Sequence, residues 1–111
     1  MGEFDGKTVL VTGGASGIGS FAAAAFAERG ARVCIAGRRE DRLAETLGAL
    51  RFEGRAGMYA VCDVSDEGEV SRMMAEVLDR FGRVDIVVNS AGTSGQFAVG
   101  NAEAGFDEWR R

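Results

Sequence analysis

A glycine-rich stretch near the beginning of the chain, VTGGASGIGSF, has the residue types and spacing to bind a phosphate group. The backbone N–H groups of such a turn and the N-terminus of a following helix hold pyrophosphate, and a Cβ at these points would keep the phosphate away. Gly17, Gly19 and Ala22 match the G-x-G-x-x-G/A pattern of dinucleotide-binding turns. A second spacing, T-G-x-x-x-G-x-G, is matched by Thr12, Gly13, Gly17 and Gly19. The alternative is a glycine turn that only packs a helix on a strand.

Few other side chains could act as a nucleophile, an acid, a base or a metal ligand. The sequence has no histidine, and its two cysteines, Cys34 and Cys62, form no C-x-x-C pair. A metal site is therefore not expected. Both thiols are predicted to be buried on strands, which is the usual environment of a free cysteine. The single tyrosine, Tyr59, and the single lysine, Lys7, are too far apart in sequence to form a Y-x-x-x-K pair.

Short β-rich segments alternate with longer helical ones, which is typical of a parallel sheet with crossover helices. Four strands are predicted, at residues 7–13, 31–37, 57–64 and 84–92. The fourth contains a continuous apolar run, as expected for a strand that is covered on both faces.

Three helices are predicted between these strands. The first two span about residues 20–29 and 40–52, and the third is capped by Ser65 or Asp66 and stopped by Gly82. Apolar residues recur at helical spacing in the last two and are expected to face the sheet. They are Leu43, Leu47 and Leu50 in the second helix, and Val70, Met73, Met74, Val77, Leu78 and Phe81 in the third.

These elements predict a doubly wound α/β fold. With right-handed crossovers, the strands take the order 3-2-1-4. Ligands of such sheets bind outside the carboxyl ends of the strands where the order reverses, here between the first and fourth strands. Residues 13–19 and 89–92 lie at those two ends, so the topology alone places a ligand crevice beside the glycine-rich turn.

Length and charge restrict the classes of partner. The 111 residues suffice for one domain with a single core. The formal net charge of −4 argues against nucleic acid and anionic membrane, since both favour a basic face. No apolar run approaches the ~18 residues that span a bilayer, and MGEFDGKTVL lacks the apolar region of a signal peptide. A cytoplasmic location is therefore expected.

Three motifs in order, TGGASGIG, CDV and NSAG, resemble those of the short-chain dehydrogenase/reductase family. They begin at Thr12, Cys62 and Asn89, each near the carboxyl end of a predicted strand. The resemblance covers residues 6–111 and implies an NAD(P)(H)-dependent alcohol/ketone oxidoreductase on a Rossmann-type fold. It favours the T-G-x-x-x-G-x-G spacing, with Ala22 as a helix-packing residue.

The resemblance also implies roles for individual residues. The turn around the cofactor's diphosphate and adenosine ribose would be formed by Thr12, Gly13, Ser16, Gly17, Ile18 and Gly19. Asp63 would accept a hydrogen bond from the adenine amino group, with Val64 packing on the ring. A helix-capping aspartate beside Ser65 is the alternative for Asp63.

Further roles are implied at the end of the fourth strand. Asn89 would brace the central sheet, and Ala91 and Gly92 would line the path toward the nicotinamide. The family's usual second asparagine is Ser90 in this sequence, which leaves the small Ala-Gly approach intact.

The end of the second strand bears on the choice between NAD(H) and NADP(H). An acidic residue there selects NAD(H), whereas a nearby arginine accommodates the 2′-phosphate of NADP(H). Gly37 occupies that position, followed by Arg38 and Arg39. A guanidinium can pair bidentately with a phosphate, so NADP(H) is favoured. The alternative is that one arginine is solvated, or pairs with Glu40 or Asp41.

The catalytic tyrosine, lysine and serine of that family have no counterpart in the 111 residues. The chain alone is therefore expected not to catalyse hydride transfer. Residues 106–109 resemble the start of a further helix, and a truncated or split oxidoreductase is the favoured explanation. Its catalytic half would be either lost or supplied separately, and only a supplied half would allow a small carbonyl or alcohol substrate to be bound.

Residues 93–105 are rich in Gly, Ser, Ala and Asn and are predicted to form a loop. The fourth strand would then lie at an open edge of the sheet, which invites pairing with another chain. A homo-oligomer or a complementing chain at that edge is therefore expected. The second functional hypothesis is a non-catalytic nucleotide-binding or self-associating module.

Overall fold

The computed structural model describes residues 3–13, 15, 17–50 and 57–89, together with the backbone of residues 96–99. Within these ranges, strands and helices alternate up to the fourth strand, and a fifth strand follows. The elements are β1 (Thr8–Thr12), α1 (Gly17–Glu28), β2 (Arg32–Gly37), α2 (Glu40–Ala49), β3 (Gly57–Val61), α3 (Glu67–Phe81), β4 (Ile86–Asn89) and β5 (Gln96–Val99).

The strands form one sheet in the order β3-β2-β1-β4-β5. β1 pairs in parallel with β2 on one side and with β4 on the other, and β2 pairs in parallel with β3. All five residues of β1 are buried, as expected for a central strand that is covered on both faces. The predicted order 3-2-1-4 of the first four strands is confirmed.

The expectation that β4 lies at an open edge is wrong. β5 pairs antiparallel with β4, and its residues belong to the segment that was predicted to be a loop. Phe97 and Val99 are strong β-formers, but the small residues around them masked this short strand in the sequence pattern. An apolar strand with unpaired backbone groups favours pairing with any nearby extended segment, and here that segment comes from the same chain.

The helix ends show where local signals suffice. α3 begins after Asp66, whose carboxylate accepts a hydrogen bond from the backbone N–H of Glu69, and ends at Gly82 in the left-handed conformation. These bounds confirm the prediction. α1 begins at Gly17, three residues before the predicted start, and α2 ends at Ala49. None of the helices in the described part of the chain is long and apolar enough to cross a membrane.

The core lies on both faces of the sheet, as the doubly wound topology requires. Neighbouring residues of β1 face opposite sides, because side chains alternate along a strand. The cluster under α3 includes Leu10, Cys34, Met58, Val77 and Phe81. The cluster under α1 and α2 includes Val9, Val11, Ala23, Ile35 and Leu43. The apolar stripes predicted for α2 and α3 therefore pack on the sheet.

Both cysteines are free and buried, which confirms the prediction for their burial. Cys34 lies in β2, and Cys62 lies one residue beyond β3. Burial, and secondarily the charge of Glu76, raises the pKa of the Cys34 thiol to about 12. A thiol with so high a pKa is not a nucleophile near neutral pH.

At the amino ends of β1 and β4, a carboxylate that sequence analysis missed joins the two strands. Asp85 Oδ2 accepts a hydrogen bond from the Thr8 N–H at 2.8 Å, and the Asp85 N–H donates to the Thr8 carbonyl at 2.9 Å. Burial alone would raise the pKa of Asp85, but the bonds from Thr8 and Arg83 outweigh it and lower the pKa. The pair aligns β4 with β1, so that their carboxyl ends meet at the opposite side of the sheet.

Candidate functional site

The carboxyl ends of β1 and β4 meet where the strand order reverses. Thr12 and Asn89 are opposite each other in the parallel register. The Thr12 hydroxyl donates to Asn89 Oδ1 at 3.0 Å and lies 3.4 Å from the Val88 carbonyl oxygen. Two of the predicted site residues are therefore joined by a side-chain hydrogen bond across the sheet.

The glycine-rich turn follows β1 at this crevice. Gly13 has a φ of 66°, in the left-handed region where a side chain is strained. Gly17 begins α1, and a Cβ built on it would meet no atom within 4 Å. Folding therefore does not require a glycine at position 17, and the empty space beside it is open to a ligand. Gly19 is buried in the first turn of α1, and Ile18 is 64% exposed.

A cavity of about 330 Å³ opens between this turn and the end of β2. Among the residues that the structure describes, its lining combines glycines with three arginines and includes no acidic residue. The lining residues are Gly13, Ala15, Gly37, Arg38, Arg39, Arg42 and Leu43. The structure thus brings the turn together with the two arginines predicted to bind phosphate. Glycine backbone and arginine side chains are the donor set that phosphate groups prefer in proteins.

Arg42 lines the cavity, but it was not among the site residues predicted from the sequence. It lies in the first turn of α2, three residues after Arg39, and so returns to the same side as the arginines that precede the helix. The R-R-x-x-R spacing at residues 38–42 was the signal that could have identified it.

The three arginines differ in their partners. Arg39 Nη2 lies 3.6 Å from Asp41 Oδ2, and both side chains are well exposed. One predicted alternative was that an arginine pairs with Glu40 or Asp41. Arg39 pairs with Asp41. Glu40 instead accepts a hydrogen bond from the Tyr59 hydroxyl at 3.1 Å. Arg38 and Arg42 form no ion pair within the described part of the chain.

The glycine at the end of β2 matters because it has no charge, more than because it is small. A Cβ on Gly37 would lie 3.4 Å from Leu43 Cδ2, which is an ordinary van der Waals contact. A side chain the size of alanine could therefore stand there. The absence of a carboxylate at this position keeps the cavity cationic.

The next corner of the sheet, after β3, holds Asp63. Its Oδ1 accepts hydrogen bonds from the Ser65 N–H at 3.0 Å and the Ser65 hydroxyl at 2.7 Å. These bonds, and then the charge of Arg38, hold the pKa of Asp63 below its ordinary value. Asp66, and not Asp63, caps α3. Val64 is partly buried against the cluster under α3.

A further carboxylate supports this corner. Glu69 Oε1 accepts the Asp63 N–H at 3.0 Å, so both the backbone and the side chain of Asp63 are held in place. Asp63 Oδ2 takes part in none of these bonds and remains available as an acceptor. Asp63 and Val64 do not line the cavity; the charge of Arg38 is what connects the two corners.

The remaining predicted residues lie elsewhere. Ser16, Ala91 and Gly92 fall outside the described residues, so their predicted roles stay predictions. Tyr59 lies within β3 opposite Ile35, and its bond to Glu40 raises its pKa. It is therefore not a catalytic tyrosine of the crevice between β1 and β4. Within the described residues, no group of three or more His, Cys, Asp or Glu side chains could hold a metal ion.

A known protein family and its members resemble this chain. The family model described as short chain dehydrogenase matches residues 7–111. A 3beta-hydroxysteroid dehydrogenase from Mediterraneibacter gnavus is 42% identical over 95 residues, which are 86% of this chain and 34% of that protein.

Two solved structures share the fold. An actinorhodin polyketide ketoreductase variant with NADPH has a TM-score of 0.75 at 39% identity, over 83% of this chain and 35% of that one. An NAD⁺-bound xylitol dehydrogenase has a TM-score of 0.71 at 31% identity, over 75% and 32%. The chain thus spans about a third of the length of these relatives, and both cofactors occur among them.

Proposed function

The chain belongs to the short-chain dehydrogenase family, and on that premise we propose that it is the cofactor-binding half of an NADP(H)-dependent alcohol/ketone oxidoreductase. Members of this family bind a nicotinamide dinucleotide. The observation that carries the proposal is the cavity that joins the turn at Gly13 to three arginines at the end of β2. Its position at the carboxyl ends of parallel strands is where this type of sheet binds ligands.

The diphosphate would be held by the glycine-rich turn. The open space beside Gly17 would admit a phosphate, and no acidic side chain lies in the first turn of α1 to compete with an anion. The helix dipole adds a favourable field at that end. The described residues of the turn therefore fit a dinucleotide phosphate.

The adenosine end would lie between the two corners after β2 and β3. Asp63 Oδ2 is an acceptor for the adenine amino group, and the low pKa of Asp63 keeps it ionised at neutral pH. Val64 would contact the ring. Thr12 and Asn89 brace the crevice on the other side through their hydrogen bond.

The preference for NADP(H) rests on charge. The described residues that line the cavity include three arginines and no carboxylate, and Gly37 replaces the acidic residue that would select NAD(H). Arg38 has no competing ion pair in the described part of the chain, so its guanidinium is available to a 2′-phosphate.

The bound nicotinamide would donate or accept the hydride. In the proposal, residues of this chain bind and orient the dinucleotide, with residues 1–111 acting as one domain. The acid/base chemistry would come from another part of the oxidoreductase, since the 111 residues contain no Y-x-x-x-K. The cytoplasmic location stays a prediction. The self-associating alternative loses its main support, because β5 covers the edge of β4 that a second chain was expected to occupy.

The decisive experiment adds one methyl group to the turn. Gly17→Ala places a Cβ in open space, so thermal unfolding should be unchanged, yet that Cβ would occupy the approach of the diphosphate. Calorimetric titration should show affinity falling about tenfold or more, equally for NADPH and NADH, because both carry the diphosphate.

Gly48→Ala is the matched control. Its Cβ also meets nothing within 4 Å, and it lies in α2 away from the cavity. This variant should bind both cofactors normally and gain stability from better helix propensity. Normal binding by Gly17→Ala, or no saturable binding by the wild-type chain, would contradict the proposal.

A further inference from the structure

Three arginines line the cavity, yet their surroundings make them unequal. Arg39 has an opposite charge beside it, with 3.6 Å between its Nη2 and Asp41 Oδ2. Arg42 forms no ion pair in the described part of the chain, although Glu45 follows it by three residues in the same helix. The cavity arginines without an ion pair in that part of the chain are thus Arg38, whose charge acts on Asp63, and Arg42.

Arg42 also stands where a cation is unfavourable for the helix. It lies in the first turn of α2, and the positive end of the helix dipole repels a guanidinium there. The neighbouring residues Glu40 and Asp41 have the sign that this position favours. A residue that opposes the local electrostatics and lines a cavity is better explained by a ligand than by stability.

We propose that Arg42 is a specificity-determining residue that, with Arg38, binds the 2′-phosphate of the dinucleotide from the α2 side of the cavity. The assignment rests on the proposed function. Arg38 reaches the phosphate from the end of β2, and Arg42 closes on it from the helix, so two guanidinium groups share a dianionic group. Buried Leu43 anchors the helix directly beside Arg42 and fixes the side from which it approaches.

The test compares fragments that differ only in the 2′-phosphate. Arg42→Gln keeps the length of the side chain and removes its charge. In calorimetric titrations of the full chain, this variant should bind 2′,5′-ADP and NADPH roughly three- to tenfold more weakly, the range for a partly exposed charge-assisted contact. Binding of 5′-AMP, which lacks only the 2′-phosphate of 2′,5′-ADP, and of NADH should change by less than about twofold.

The control is Arg72→Gln, which removes an exposed arginine from α3 outside the cavity and should leave all four affinities unchanged. Thermal unfolding of Arg42→Gln should be unchanged or slightly higher, because the helix end loses an unfavourable cation.

Equal weakening of 2′,5′-ADP and 5′-AMP would place Arg42 at the 5′-phosphate and overturn the assignment, as would unchanged binding of 2′,5′-ADP. A wild-type chain that binds 5′-AMP but shows no preference for 2′,5′-ADP would also overturn it, while leaving dinucleotide binding intact. A wild-type chain that binds neither nucleotide would overturn the proposed function and this assignment with it.

Discussion

The corner between β2 and α2 and the corner between β3 and α3 lie side by side, and the Cys62 N–H donates to the Gly37 carbonyl at 2.7 Å between them. The first corner presents arginines, and Arg39 at its helix cap makes no side-chain hydrogen bond to the helix. The second is built from carboxylates that bind its own backbone, with Asp66 capping α3 and Glu69 holding the Asp63 N–H.

The turns after β2 and β3 occupy equivalent places in the fold, but their charges differ, so they could contact different parts of one ligand. A corner that satisfies its own N–H groups is rigid before any ligand arrives, which suits an acceptor that must point in one direction. A corner that leaves its cations uncommitted attracts an anion. Under the proposed function, the acidic corner would receive the adenine and the basic corner would receive a phosphate.

The largest expected effect comes from reversing charge in the basic corner. Arg38→Asp should weaken NADPH binding by more than about tenfold, because an uncommitted cation is replaced by an anion facing the phosphate. NADH binding should fall much less, since it lacks the 2′-phosphate. Calorimetric titration of both cofactors measures the ratio. Equal losses for NADPH and NADH would remove Arg38 from the 2′-phosphate site.

A smaller effect is expected from opening the acidic corner. Asp66→Ala removes the acceptor for the Glu69 N–H and should lower the free energy of unfolding by about 1 kcal/mol in denaturant titration. Asp66→Asn, which keeps an acceptor oxygen, should lose markedly less. The preference for NADPH over NADH should survive both changes, because the arginines are untouched. A shift in that preference would show that the two corners are not separable.

The smallest effect is a pH dependence at Asp63. Hydrogen bonds from Ser65 lower the pKa of Asp63 from 3.8, so the folded state binds the proton less readily than the unfolded state. The stability that this gives is present above pH 3.8 and is lost as the pH falls through the lower folded-state pKa. Melting temperatures measured between neutral and acidic pH should fall less steeply for Asp63→Asn than for the wild type. Parallel curves would contradict this account.

Local signals predicted much of the molecule. α3 was predicted with its bounds because a capping carboxylate at Asp66 and a left-handed stop at Gly82 act within one turn. The start of α1 was missed because Gly17 and Gly19 have poor helix propensity, which tertiary packing overrode. β5 was missed because a four-residue strand gains its stability from β4 and carries little pattern of its own.

The same division applies to the site. The positions of the glycine turn, the arginine pair and Asp63 were predictable because each begins within two residues of a strand end. The pairing of Arg39 with Asp41 was one of several open alternatives, and Arg42 was not identified. The R-R-x-x-R spacing could have indicated Arg42, but the cavity that it lines depends on how α2 packs against the end of β2.

The order of the first four strands was predictable from the sequence, because alternating apolar runs and helices favour a doubly wound sheet and the motifs resemble those of a family with a Rossmann-type fold. The same order predicted that the glycine turn would face the carboxyl end of β4. Which charges line one cavity, and which pair beside it, depends on how the elements pack in three dimensions. The reason is that electrostatic contacts depend on distances of a few ångströms between elements, whereas a sequence specifies only the elements and their order.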